Sequence, residues 1–203
     1  MTLQIIGIPQ SNFVRAVRMV AEEKGIEYEL LATMPHSEEI NAISPTGKVP
    51  GLRHGDLQLS ESQPIARYID NHFDGPKLVP EDRREAGKVE QWISIAATDI
   101  DQLLIRNYVV EYIFHKDEDG NVVRRKIDRA IKRFPKMFSM IESALADGYF
   151  GSGQFSMADC FITPILHFTS LWPEGKEAIE GHSSIQDYLS RMTQRKSFQN
   201  TES

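Results

Sequence analysis

Residues 44–65 read SPTGKVPGLRHGDLQLSESQPI and decide the fold of this chain. Within them, residues 51–53 and 57–59 are short apolar segments on either side of a Gly-containing turn, which is the pattern of a β-hairpin. Pro50 precedes the first segment, where a residue without an N–H is tolerated and a cis peptide bond can form. Glu61 and Ser62 follow the second segment and mark the start of a helix. The stretch therefore predicts a ββα unit with a proline at its entrance.

The same stretch predicts a binding site. A cis peptide bond before Pro50 would turn the main-chain N–H and C=O of Val49 toward a ligand. Glu61 and Ser62 lie where the first N–H groups of a helix have no intrahelical partner, and such a helix N-terminus attracts a carboxylate. Main-chain partners beside an anion-binding position indicate a small peptide ligand that carries a carboxylate.

Length, charge and cysteine content restrict the class of protein. The 203 residues are 40% hydrophobic and carry a net charge of −6, from 29 acidic and 23 basic residues. This composition indicates a globular protein that handles small molecules, and it argues against a nucleic-acid partner. The single cysteine, Cys160, has no disulfide partner in the chain and favours a reducing compartment. No signal peptide and no apolar run of about 18 residues are visible, so we expect a cytoplasmic protein without a membrane partner.

The residues before this stretch complete a small α/β domain. Residues 3–6 and 26–32 are predicted strands, with a helix over 13–24 between them. A short helix over 37–43 precedes the hairpin, and a longer one over 62–72 follows it. The order is βαβ, then α, then ββα, which predicts a four-stranded mixed sheet with helices beside it.

The second half of the chain is predicted to be all-helical. Residues 75–82 are rich in Pro and acidic residues and form a predicted linker between domains at 1–74 and 83–203. Apolar residues beyond the linker recur at intervals of three and four. They predict helices over 89–103, 127–145, 157–170 and 185–193.

Ser11 lies between the first predicted strand and the first helix. One interpretation is a helix cap, because a serine at this position accepts a hydrogen bond from the first turn. The other is a hydroxyl that donates to an anion at the helix N-terminus, where a bound thiol would ionise more readily than at its usual pKa of about 8.5. No His or Asp stands in a triad-like relation to Ser11, so we do not expect a nucleophile.

Three features occur together: Ser11 before a helix, SPTGKVPGL at 44–52 and ESQPI at 61–65. In this combination the chain resembles a cytosolic glutathione transferase of bacterial type, closest to the serine-dependent theta and phi groups. The segment FSMADCFITPIL at 155–166 is similar to the family's buried capping motif, in which Ser156 and the aspartate three positions later form a capping box. The resemblance covers nearly the whole chain.

The resemblance implies a thioredoxin-like first domain that binds glutathione as a co-substrate and needs no metal. Val49 would bond the cysteinyl main chain, with Pro50 in the cis form. Ser11 would stabilise the glutathione thiolate by hydrogen bonding, which is electrostatic assistance rather than proton relay. Whether Ser11, Asn12 or Gln10 approaches the sulfur is left open by the sequence.

The family pattern also implies partners for the charged ends of glutathione. Ser62 would bind the γ-glutamyl carboxylate and Glu61 would lie near the ammonium group. His36 and Lys48 would lie at the glycyl carboxylate. Each position has an ordinary alternative: Glu61 and Ser62 as a helix cap, Lys48 as a solvated charge and His36 as an exposed loop residue.

A second-substrate pocket is expected between the two domains. A small hydrophobic electrophile would contact the first loop and the helices after the linker, and a homodimer is implied by the family. Aromatic residues at helical spacing are also common in helical cores, which is the alternative for two of the candidates. The candidate pocket residues are Gln10, Phe13, Tyr108 and Tyr112.

The expected activity is conjugation of glutathione to small electrophiles. Other glutathione-dependent activities are alternatives, namely isomerisation, dehalogenation, and peroxide or disulfide reduction. The isomerase group usually has Ser-Ser-Cys in its first loop, whereas residues 9–12 read PQSN here. A binding protein of the same fold with little catalysis is a further alternative, and the presence of Ser11, Pro50, Glu61 and Ser62 argues against it.

Overall fold

The computed structural model of the chain describes residues 2–202, which divide into two compact units. The first unit extends through Glu81 and includes the chain again from Thr193 onward. The second unit comprises Asp82–Met192.

The first unit contains a four-stranded mixed sheet, as the sequence predicts. The strand order is β2-β1-β3-β4, with β1 parallel to β2 and antiparallel to β3, and β3 antiparallel to β4. The predicted order βαβ, α, ββα is confirmed. The strands are β1 (Leu3–Ile6), β2 (Tyr28–Leu31), β3 (Gly51–His54) and β4 (Leu57–Ser60).

Three helices accompany the sheet: α1 (Asn12–Glu23), α2 (Glu38–Asn41) and α3 (Ser62–His72). Helix α1 is buried on almost every side because α3 and the C-terminal helix pack against it. It ends before Gly25, which has a φ of +68° that glycine adopts without a steric penalty. The bounds of α3 agree with the sequence-based prediction.

A buried ion pair fixes the predicted linker to the first unit. Lys24 Nζ lies 3.5 Å from Asp70 Oδ1, and both side chains are buried. Lys24 also donates to the carbonyl oxygens of residues 75 and 76. The Asp70 carboxylate accepts the N–H groups of Leu78 and Val79 at 2.9 and 3.3 Å. Residues 75–79 are therefore anchored to the ends of α1 and α3.

The second unit is helical. A continuous helical segment consists of α4 (Arg83–Ile95), a π-helical stretch (Ala96–Val109) and α5 (Val110–Phe114). Within residues 2–202, no helix combines the length and apolar character that a membrane crossing requires. The remaining helices of this half are α6 (Arg125–Ile131), α7 (Phe134–Ala144), α8 (Met157–Ser170), α9 (Pro173–Glu180) and α10 (Ser183–Thr193).

Two of these helices differ from the periodicity-based prediction. The single helix predicted over 127–145 is interrupted between Ile131 and Phe134, because Pro135 occupies the first turn of α7 and cannot continue an α-helical ladder. Helix α9 was not predicted, since its eight residues are too short for a periodic signal. Pro173 at its first position is the local signal that marks its start.

The capping box predicted at the start of α8 is present. Ser156 Oγ accepts the N–H of Ala158 at 3.3 Å, and Asp159 Oδ2 accepts the N–H of Ser156 at 2.8 Å. Asp159 Oδ1 also accepts the N–H of Phe150 and the hydroxyl of Tyr188. Burial raises the pKa of Asp159 to about 6, although these hydrogen bonds oppose the rise.

The C-terminal helix α11 (Lys196–Thr201) packs on α1 of the first unit. Arg15 donates to the carbonyl oxygen of Phe198 at 3.2 Å and lies over its ring. Arg18 donates to the carbonyl oxygen of Thr201, also at 3.2 Å. The sequence assigned residues 83–203 to the helical domain. These bonds explain why the chain from Thr193 groups with the first unit instead.

Candidate functional site

Strand register brings three loops together at one edge of the sheet. Ile6 at the end of β1 pairs with Gly51 at the start of β3, and Gly51 pairs with Ser60 at the end of β4. The loop that precedes α1, the residues that precede β3 and the start of α3 all leave the sheet at these paired positions. The predicted site residues Ser11, Val49 and Ser62 belong to these three segments.

Gly7 allows the loop after β1 to lie close to Val49 and to the first turn of α1. It has a φ of +151°, and a Cβ at this position would lie 2.6 Å from Val14 and 2.9 Å from Val49 Cβ. Both distances are shorter than side-chain contacts permit, so the loop after β1 can pack on Val49 only with glycine here. This contact places the residues that follow β1 against the entrance to β3.

Ser11 is the N-cap of α1. Its Oγ accepts the N–H of Val14 at 3.4 Å, and the side chain is half-buried. A hydroxyl offers two acceptor positions and one donor, so the capping bond leaves the proton of Ser11 free to donate to an anion. Of its neighbours, Asn12 is buried and Gln10 is exposed. The two sequence-based interpretations of Ser11 are therefore compatible.

The peptide bond between Val49 and Pro50 is cis, as the sequence predicts. Val49 is half-buried and Pro50 is buried. Within residues 2–202, the main-chain N–H and C=O of Val49 take part in no hydrogen bond. These two groups are therefore available to an extended peptide at the sheet edge.

The start of α3 is strained and has no capping side chain. Glu61 precedes the helix with a φ of +70°, a strained value for a residue other than glycine, and no side chain caps the first turn. Ser62 is buried, and its hydroxyl has no hydrogen-bond partner in the described part of the chain. Helices α5, α6, α7, α9 and α11 also begin without a capping side chain, whereas α1, α2, α4 and α8 are capped by Ser11, Ser37, Asp82 and Ser156. The open N-terminus of α3 suits a carboxylate.

A contact that the sequence did not indicate links Glu61 to the loop before β3. Thr46 Oγ1 donates to Glu61 Oε1 at 3.5 Å, and it also lies 3.1 Å from the hydroxyl of the buried Ser44. Neither residue was a predicted site residue. Their only sequence signal is their position in the SPTG segment, which does not reveal a contact with Glu61.

His36 and Lys48 are brought to the same loop. The N–H of His36 donates to the carbonyl oxygen of Gly47 at 2.7 Å, and Gly47 has a φ of +66° that a side chain would strain. A Cβ at residue 47 would also lie 2.3 Å from His36 Nδ1. Lys48 and His36 are both exposed. The main chain of His36 therefore lies against Gly47, directly before Lys48 and the segment that contains Val49.

The candidate pocket residues fall into two groups. Gln10 and Phe13 belong to the first unit, where Phe13 is half-buried. Tyr108 and Tyr112 are buried in the second unit, and both hydroxyls donate to Glu174 Oε2, at 3.0 and 2.6 Å. These hydrogen bonds give the two tyrosines a structural role, and their predicted place in a second-substrate pocket stays a prediction.

Hydrogen bonds connect four side chains, which we call the tyrosine cluster: Tyr108, Tyr112, Arg124 and Glu174. Burial raises the pKa of Tyr112 to about 12, and it raises the pKa of Tyr108 further. Burial also acts to raise the pKa of Glu174. Hydrogen bonds from Tyr112 and Arg124 outweigh burial and lower the pKa of Glu174 to about 2. At neutral pH the cluster therefore holds one carboxylate, one guanidinium and two neutral phenols.

Two domain families match this chain. Residues 5–77 match the family described as glutathione S-transferase, N-terminal domain, and residues 125–191 match glutathione S-transferase, C-terminal domain. Glutathione S-transferase 4 of Zea mays is 30% identical over 172 residues, which cover 81% of this chain and 76% of that protein. The chain belongs to the glutathione S-transferase family. The predicted resemblance to the glutathione transferase family is thereby confirmed, whereas the bacterial type stays a prediction.

Two further proteins are similar to this chain over almost its whole length. A stringent starvation protein A homolog of Histophilus somni is 28% identical over 92% of this chain and 83% of that protein. A solved glutathione S-transferase of Methylobacillus flagellatus with glutathione bound has a TM-score of 0.83 at 22% identity, and the match covers 98% of both chains. The transferase fold is therefore shared across almost the whole chain.

Proposed function

We propose that the chain binds glutathione at the sheet edge of the first unit and conjugates its thiolate to a small hydrophobic electrophile. The observation that carries this proposal is the register that pairs Ile6 with Gly51 and Gly51 with Ser60. The segments that leave the sheet at these positions contain the hydroxyl of Ser11, the main-chain N–H and C=O of Val49 and the uncapped start of α3. These groups match the thiol, the cysteinyl main chain and a carboxylate of glutathione.

The proposed binding mode uses each of these groups once. Val49 bonds the cysteinyl main chain through its N–H and C=O. The γ-glutamyl carboxylate lies at the N-terminus of α3 and accepts from the Ser62 hydroxyl, and the neighbouring ammonium meets the Glu61 carboxylate. Lys48 and His36 lie nearest the glycyl carboxylate, where a cation is favoured.

The proposed reaction begins when the glutathione thiol loses its proton to solvent. Ser11 donates a hydrogen bond to the resulting thiolate and lowers the thiol pKa, since the hydrogen bond stabilises only the charged form. The thiolate attacks an electrophilic carbon, a C–S bond forms, and a leaving group departs with its electron pair. The candidates for contact with this second substrate stay as predicted from the sequence: Gln10, Phe13, Tyr108 and Tyr112. The homodimer implied by the family and the cytoplasmic location expected from the sequence also stay predictions.

Calorimetry with glutathione tests the binding mode directly. Ser62→Ala should weaken glutathione binding by roughly 1.5–3 kcal/mol, because a hydrogen bond to a charged acceptor is lost. Ser143→Ala is the matched control, since Ser143 is an exposed serine of the second unit whose hydroxyl donates to the carbonyl oxygen of Ser139. Equal affinity of the wild type and the Ser62 variant would remove Ser62 from the site.

A binding protein without transferase activity is the second candidate. The observation that favours it is the 28% identity to a stringent starvation protein A homolog, a relative that is not named as a transferase. A conjugation assay with a general aryl halide separates the two. Turnover that depends on Ser11 supports the transferase, whereas glutathione binding without turnover supports the second candidate.

A further inference from the structure

Basic residues are concentrated on α6 and the start of α7. Residues 124–136 contain seven basic residues and one acidic residue, although the whole chain carries a net charge of −6. Two of the seven, Arg124 and Lys126, form ion pairs with Glu174 and Glu111. The other five are exposed and have no ion-pair or side-chain hydrogen-bond partner within residues 2–202. We call these five the basic row: Arg125, Arg129, Lys132, Arg133 and Lys136.

The basic row spans two consecutive helices. Arg125 and Arg129 lie about one turn apart on α6, and Lys132 and Arg133, which join α6 to α7, keep right-handed helical backbone angles, with φ of −59° and −97°. At a helical rise of 1.5 Å per residue, the five positions extend about 16 Å. The apolar side of these helices is buried in the core of the second unit through Ile127, Ala130, Phe134, Met137 and Phe138.

The basic row itself contains no exposed apolar side chain. Large hydrophobic side chains are exposed nearby, at Val123 before α6 and at Ile113 and Phe114 on α5, but none is exposed within residues 125–136. A protein–protein interface needs an apolar centre, and a helix that enters a membrane surface needs an exposed apolar face. The apolar face of α6 and α7 is already buried. The row therefore offers charge without an apolar centre, which is the composition of a nucleic-acid-binding surface.

We propose that the basic row binds the phosphate backbone of double-stranded nucleic acid without reading its sequence. One strand of a duplex carries a charge about every 3.4 Å, so a row of about 16 Å spans about five phosphates. Three of the five residues are arginines, which bind phosphate in a bidentate manner. The row contains no aromatic side chain for stacking on unpaired bases, which favours a duplex over a single strand.

The proposal is independent of the glutathione site and revises the expectation drawn from net charge. A net charge of −6 argues against nucleic acid only if charge is spread evenly over the surface. Here the pairing of Arg124 and Lys126 leaves five neighbouring cations uncompensated. The local field of this row, rather than the average over the chain, decides binding to a polyanion over distances of about 8 Å at physiological salt.

Fluorescence anisotropy with a labelled mixed-sequence DNA duplex of about 20 base pairs tests the proposal. Titrations of the full chain between about 25 and 200 mM KCl should give a slope of log K against log salt of about −4.5, for five phosphate contacts. The triple variant Arg129→Gln, Lys132→Gln and Lys136→Gln should reduce the slope to about −2 and weaken binding throughout this range. Glutamine keeps the helix propensity of these positions.

A second triple variant is the matched control. Arg83→Gln, Arg84→Gln and Lys176→Gln remove the same charge from exposed positions outside the basic row. Its slope should equal that of the wild type. The proposal is overturned by three results: no binding at the lowest salt, an equal loss in both triple variants, or tighter binding to polyglutamate or to phosphatidylserine vesicles than to the duplex.

Discussion

Ser11 shows how one side chain serves both a helix and a site. Its oxygen accepts from Val14 as the cap of α1, and its proton remains available at the sheet edge. A cap is worth about 0.5–2 kcal/mol, whereas thiolate stabilisation appears only in the ionisation of the bound thiol. The two roles therefore have separate measurements.

Ser11→Ala should raise the pKa of the glutathione thiol in the complex and slow conjugation at neutral pH. The physical reason is the loss of the hydrogen bond that stabilises only the thiolate. The measurement is the pH dependence of the thiolate absorbance in the complex together with the pH–rate profile of conjugation. Both curves should move to higher pH.

Asp82→Ala provides the control for the loss of a helix cap. Asp82 caps α4 through hydrogen bonds to Arg84 and Glu85 and lies outside the proposed site. This variant should lose stability as Ser11→Ala does, with no change in the pH–rate profile. An unchanged profile in Ser11→Ala as well would leave Ser11 with the capping role alone.

Glu174 makes the stability of the second unit depend on pH. Its pKa in the folded chain is about 2, below the ordinary value of 4.5. Its stabilising effect is therefore complete above pH 4.5 and is lost as the pH falls toward 2. Urea denaturation should show that Glu174→Gln destabilises the chain at pH 7 and that the difference narrows below pH 4.5. A difference of constant size between pH 7 and pH 3 would contradict this assignment.

The exposed pair of Lys176 and Glu180 supplies the comparison for that experiment. The two groups lie 3.8 Å apart on the surface of α9. Because solvent screens such a pair, Glu180→Gln should have little effect at either pH. A response equal to that of Glu174→Gln would indicate a general charge effect instead of the tyrosine cluster.

At the scale of elements, the ends of α1 and α3 are joined by the Lys24–Asp70 pair. Lys24→Met should lower the free energy of unfolding by about 3–5 kcal/mol, because it leaves the Asp70 carboxylate buried without its cation. Urea denaturation monitored by circular dichroism measures this change. Lys88→Met removes the lysine of an exposed pair with Glu85 and should leave the unfolding midpoint unchanged. Equal midpoints in the two variants would refute the anchoring role.

Local signals predicted the elements that have strong periodicity or a marked start. The hairpin at 51–60 and the helix Ser62–His72 followed from alternation and from the turn between the strands. The break before Phe134 depends on a single proline within a continuous apolar pattern. Helix α11 has six residues and is held by Arg15 and Arg18, which are distant in sequence. Such tertiary contacts have no local signal.

At the scale of the whole molecule, composition indicated the class of protein correctly. It did not indicate how the charged residues are distributed over the surface. Ser11 and the motifs at 44–52 and 61–65 were sufficient to predict the family, whereas the position of the site stays a prediction. The contact between Thr46 and Glu61 could not be predicted, because it depends on how two loops meet at the sheet edge. The basic row could not be predicted from the net charge either, because the net charge does not show which lysines and arginines form ion pairs.

A crystal structure of the chain with glutathione is the most direct test of the central claim. We expect the tripeptide at the edge formed by Ile6, Gly51 and Ser60, with its main chain bonded to Val49 and a carboxylate at the Ser62 hydroxyl. The sulfur should lie within hydrogen-bond distance of Ser11. Glutathione bound elsewhere, or an edge that stays empty at saturating glutathione, would contradict the proposed function.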